Sequence, residues 1–154
     1  MVNLDPLELL FILLAFLFQI VLIIHFALRK LAFKTAIKHG WMVYALSIPA
    51  LAVSFVIFFG EKDWTFWLAG FLYFIWAIYG YQVEYIKMIE WRAPFRWTVG
   101  VPYLVLYLAT VMFYWFPLAL IAKPLWYAYG VLFAISTLLN VSSHQKGEDR
   151  QVKR

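Results

Sequence analysis

Five long runs without a single charged side chain divide this sequence, and nothing else in it constrains the fold as tightly. They run from Leu9 to Leu28, Trp41 to Phe59, Trp64 to Val83, near Trp97 to about Leu120, and Pro124 to Val141. A helix needs about 20 apolar residues to cross roughly 30 Å of hydrocarbon. The runs lack the alternation of barrel strands and are too long for them. Backbone groups in lipid must also pair within their own segment. The expectation is an all-α, polytopic membrane helical bundle, a single domain over 1–154. Its five transmembrane helices fall at about 7–28, 41–59, 64–85, 98–120 and 124–141, followed by a cytoplasmic tail at 142–154.

Composition agrees. Hydrophobic residues make up 66% of the chain and charged ones only 14%. A soluble domain of 154 residues leaves too much surface in water to hide that share. Soluble enzymes, nucleic-acid modules and disordered tails are poor classes for it. The net charge of +5 would suggest a polyanionic partner in a soluble protein. Here the charges lie in the connectors, so no nucleic-acid partner is expected. Without cysteine there are no disulfides, thiolate nucleophiles or cysteine metal sites. The first run follows Asp5 and Glu8 and ends at Arg29 and Lys30, which reads as a retained span rather than a signal peptide.

The connectors set a direction. Arg29, Lys30, Lys34 and Lys38 follow span one, Lys87, Arg92 and Arg96 follow span three, and the tail adds Lys146, Arg150, Lys153 and Arg154. These fall on one side, and only Lys62 and Lys123 on the other. By the positive-inside rule the N-terminus is outside and the C-terminus inside, in the cell membrane. Lys30, Lys34 and Lys38 also recur every fourth residue beside Phe33 and Ile37. That pattern suits either a stop signal or a basic stripe on anionic headgroups.

Helix association in lipid depends on close packing and polar contacts. Small residues mark three faces: Ala50 and Ser54 on span two, Gly70, Ala77 and Gly80 on span three, and Gly130, Ala134 and Thr137 on span five. Span three is expected to be central. Pro49 should bend span two, whereas Pro124 sits harmlessly in a first turn. Trp41, Trp64, Trp91, Trp97 and Trp126 fall at span ends, as interfacial anchors do. Trp67, Trp76 and Trp115 lie deeper, and Tyr103 and Tyr107 stack one turn apart.

Polar side chains within spans are costly and therefore candidates for function. Gln19 lies in the middle of span one and His25 in its cytoplasmic half. Gln82 and Glu84 close span three, Asn140 closes span five, and His39 precedes span two. The candidate cluster is Gln19, His25, Glu84, Asn140, Trp76, Tyr103 and Tyr107, beside a mouth of Arg29, Glu84, Glu90, Arg92 and Arg96. Three readings compete: structural pairing, a haem held by His25 and His39, and a proton or ion path through His25, Glu84 and Gln19. The haem reading is the only route to a metal here. No G-x-S-x-G, H-E-x-x-H, phosphate loop or GxGxxG occurs, and Asp5, Asp63 and Asp149 are too peripheral for paired-carboxylate catalysis.

Trp64-x-Phe66, followed by Leu72-Tyr73-Phe74, resembles a stretch of the tryptophan-rich sensory/translocator proteins. The resemblance covers part of one span, and a short basic connector replaces that family's long first loop. No family is assigned on it and no site residue is carried over. The expected function is non-enzymatic: binding an apolar ligand or lipid, or serving as an accessory subunit of a membrane complex. The alternatives are a haem- or quinone-linked electron-transfer subunit and a small transporter. Membrane lipids are the expected partners, with other membrane subunits or a second copy also open, and no cofactor is named.

Overall fold

The computed structural model describes residues 4–92 and 94–145. Helix α1 spans Pro6–Leu31. Asp5 caps it by accepting the Leu7 N–H at 3.0 Å, while Glu8 accepts the Asp5 N–H at 3.3 Å. This reciprocal box, with Pro6 in the first turn, satisfies donors that a helix start leaves open. Three shorter helices follow: α2 Phe33–His39, α3 Trp41–Ala45 and α4 Ser47–Phe59. The break between α3 and α4 lies where Pro49 has no N–H to offer the Ala45 carbonyl. Ser47 Oγ bonds the Tyr44 carbonyl there at 2.6 Å. Helix α5, Trp64–Tyr81, is capped by Asp63, whose side chain accepts from both the Thr65 hydroxyl and the Thr65 N–H. It widens into a π turn over Gln82–Ile86. Helices α6, Trp97–Ile121, and α7, Lys123–Gln145, complete the chain.

Five segments are long and apolar enough to cross a membrane: 6–31, 33–59, 64–86, 97–121 and 123–143. No strand occurs among the described residues, only an isolated bridge between Arg92 and Phe95. The basic stretch after span one is itself helical, and the second apolar segment extends back through it. The last helix continues into the stretch read as tail; residues 146–154 lie outside the described residues.

Helix α5 packs between α4 and α6, while α7 lies against α1 and α6. Of the apolar window of α5, 44% is buried, against 11% for α7, so the third span is the most enclosed and the last the most peripheral. The small-residue faces explain the first contact. A Cβ on Gly70 would meet the Ala50 carbonyl at 2.6 Å and collide with the Ser54 hydroxyl. The core is aromatic: Phe18 of α1 meets Tyr73 of α5 at 4.6 Å and Tyr114 of α6 at 5.3 Å between centroids. Such pairs contribute about 0.5–1.5 kcal/mol each beyond the area they bury. On α7 the expected face is only partly used. Trp115 seats over Gly130 and donates to the Trp126 carbonyl at 2.9 Å, but Ala134 and Thr137 are exposed. The buried side of α7 instead carries Tyr129, Ser136 and Ser143, with Ser136 bonding Gln19 of α1 at 3.1 Å. The Ser136–Gln19 bond lies on that side of the helix and not on the face of Ala134 and Thr137.

Candidate functional site

The site forms where α5 ends. A π turn advances each residue by less than an α turn does, so it rephases the side chains after Tyr81. The Lys87 N–H closes this turn on the Gln82 carbonyl at 2.8 Å. Met88 then takes a positive φ of 48°, and the Ile89 N–H returns to the Val83 carbonyl at 2.9 Å. The connector thereby folds back over the bundle end and buries Trp91, which is 4% exposed.

Glu84 is held from two sides. The Tyr44 hydroxyl donates to Glu84 Oε2 at 2.7 Å, and Arg92 forms a close ion pair with Oε1. The Tyr44 and Tyr103 hydroxyls lie 3.2 Å apart. Arg92 also stands over the Trp91 ring, 4.4 Å from its centroid, and 6.0 Å from that of Tyr103. Burial works against the charge on Arg92, but the Glu84 carboxylate outweighs it and holds the guanidinium more firmly protonated than usual. Gly80 makes this arrangement possible, because a Cβ there would meet the Tyr44 ring at 2.6 Å.

Beside this cluster is a cavity of about 80 Å³, lined by residues from all five spans. Six of the seven cluster residues read from the sequence line it: His25, Trp76, Glu84, Tyr103, Tyr107 and Asn140. The seventh, Gln19, lies deeper and bonds Ser136. Arg29 and Arg92 line the cavity, but the other two residues expected at its mouth, Glu90 and Arg96, are exposed and do not. Gln82 also faces outward. On α2, Lys34 and Lys38 are exposed and Lys30, at the end of α1, is half-buried; Ile37 points outward while Ala36 is buried.

Sequence reasoning missed Tyr44 and misplaced Trp91. Tyr44 carries no charge to stand out within an apolar run. Trp91 looked like an interfacial anchor because a connector has no periodicity from which to read its direction. Of the remaining end tryptophans, Trp41, Trp64 and Trp97 are about half or more exposed, at 48%, 53% and 73%, whereas Trp126 is half-buried and stacked on Trp115 at 5.1 Å.

The polar groups of the cavity fall into two sets. Glu84, Arg92, Tyr44 and Tyr103 bond one another. By contrast, Trp76 Nε1, Trp91 Nε1 and Asn140 Oδ1 are buried with no hydrogen-bond partner among the described residues. Arg29 likewise makes no hydrogen bond or ion pair there. The residues do not fit a haem bridged by two histidines. His39 is exposed, with Nδ1 3.1 Å from the Thr35 carbonyl of its own helix, and does not line the cavity that His25 lines. A space of about 80 Å³ is also far below the 300–1,000 Å³ of sites that enclose whole cofactors. No group of three His, Cys, Asp or Glu residues suited to a metal ion occurs among the described residues. No protein-family model, curated protein or solved structure matches the chain.

Proposed function

We propose that this chain is an integral protein of the cell membrane that binds a lipid or another amphiphile, the polar head entering the cavity at its basic end. The observation that carries the reading is the lining: charged and hydrogen-bonding groups beside Leu22, Phe26 and an exposed Leu104. An amphiphile matches both halves of such a wall at once. The cavity holds little more than a head, since a water molecule's share of liquid volume is already about 30 Å³. The tails then lie along the outer apolar flank. The excess of basic residues in the connectors at this end supports assigning it to the cytoplasmic leaflet, with the N-terminus outside.

Native mass spectrometry of the chain released from mixed-phospholipid nanodiscs tests the reading. The natural protein should retain lipid, and Asn140→Phe, which fills the cavity, should lose it while keeping its helical circular dichroism. A lipid-free natural chain would overturn the proposal. Direction is tested separately, and the cysteine-free sequence helps. Glu61→Cys should react with an impermeant maleimide in intact cells, and Lys38→Cys only after lysis.

Docking as a subunit of a larger complex is the second reading. It is favoured by α7, where Tyr127, Val131 and Leu138 form an outward apolar strip. A discrete partner or second copy in the same spectra would support it.

A further inference from the structure

A cavity with this many aromatic walls invites comparison with the cages that hold quaternary ammonium groups. The geometry argues otherwise. The Trp91 face is already covered by the Arg92 guanidinium, which also approaches Tyr103, and the Glu84 carboxylate is already held by Arg92 and Tyr44. The cation-binding capacity of the site is thus taken up internally. What remains unspent has the opposite preference. Trp76 and Trp91, 2% and 4% exposed, line the cavity, and the N–H of each indole is buried without an acceptor among the described residues. Arg29 lines the same space, its five donors unused. Two guanidiniums face one carboxylate, which leaves positive charge in excess. A buried donor without an acceptor costs about 1–3 kcal/mol, so two at one cavity mark where an acceptor belongs.

We infer that the cavity is an oxyanion site in which Arg29 and the indole N–H groups of Trp76 and Trp91 hold a phosphate-type group. It rests on the amphiphile reading, which it refines. Glu84 does not take part as a ligand; it fixes Arg92, and through it the Trp91 ring, in place. Asn140 Oδ1, a buried acceptor without a donor among the described residues, suits a hydroxyl carried by the same head. An acidic phospholipid with a hydroxylated head offers both features, whereas a zwitterionic head brings a second positive charge toward Arg29. Free phosphate has the same oxyanion chemistry without tails.

The test is calorimetric titration of the full chain in mild detergent with dioctanoyl phosphatidylglycerol, dioctanoylglycerol and inorganic phosphate. Phosphatidylglycerol should bind at least about tenfold more tightly than dioctanoylglycerol, which lacks the phosphate, the fold-change that one charge-assisted contact supplies. Arg29→Gln should erase that preference without weakening dioctanoylglycerol binding, and Arg29→Lys should restore part of it. Trp91→Phe keeps the ring and removes the donor, so it should lower phosphatidylglycerol affinity severalfold even if Arg29 variants fail to fold. Equal affinity for both lipids would overturn the oxyanion assignment and leave the amphiphile reading standing. Binding of neither lipid would overturn both. Inorganic phosphate displacing the lipid at comparable concentration would uphold the oxyanion site and assign it to the free ion.

Discussion

The two ends of the bundle each join acidic and basic side chains across helices, yet they are built for different ends. At one, Lys62 bridges Asp5 at 3.0 Å and Glu8 at 2.9 Å, tying the turn after α4 to the start of α1. Two carboxylates meet one ammonium, and the same acids also cap α1. At the other, one carboxylate pairs with Arg92 beneath aromatic rings, Arg29 stands outside the pair, and two indole donors remain without acceptors among the described residues. The first end is a completed staple. The second is an incomplete constellation, and that surplus, rather than the presence of charge, distinguishes a candidate site from a structural tie.

The comparison can be broken most sharply at Glu84. Removing one partner of a part-buried pair leaves the other uncompensated, so Glu84→Gln should destabilise by on the order of 3 kcal/mol. Adding Arg92→Gln should recover much of the loss, as read by unfolding in mixed micelles. No recovery would mean that the pair is not the unit of stability at that end. Tyr44→Phe, which deletes one hydrogen bond to a charged acceptor, should cost about 1.5 kcal/mol in the same assay. Lys62→Met should have the smallest effect and shrink in high salt, because a half-exposed pair between a connector and a helix start is weak and screened. Acid sharpens the contrast. The Leu7 N–H, followed by Lys62, holds the Asp5 carboxyl below its ordinary value of 3.8. Its contribution is therefore complete above that value and is lost as pH falls through the lower folded-state value. Below pH 4 a thermal melt should show the staple weakening, and Lys62→Met should flatten that trend.

Helical class and the five segments were legible because hydropathy over twenty residues integrates many weak signals. The enclosure of α5 could be read from Gly70, Ala77 and Gly80, since only backbone approach gives glycine a packing role in lipid. The convergence of His25, Glu84 and Asn140 followed from counting depth along spans. What could not be read was direction in segments without period. The connector hid the inward turn of Trp91 and the outward turns of Glu90 and Arg96, and a π turn rephased what came before it. The rotation of α7 was misread for a related reason. Ala134 and Thr137 have the spacing of a packing face, but the Ser136–Gln19 bond lies on the side that turns inward.

Because its wall takes residues from every span, the cavity has no partial form. Helices enter a bilayer in sequence, and Asn140 arrives with the last of them, so earlier intermediates lack one wall of the cavity. A ligand that binds only the finished arrangement stabilises it by mass action, more as its concentration exceeds Kd. Occupancy would then report completed assembly, and a membrane depleted of that ligand would leave the most peripheral helix the first to come loose.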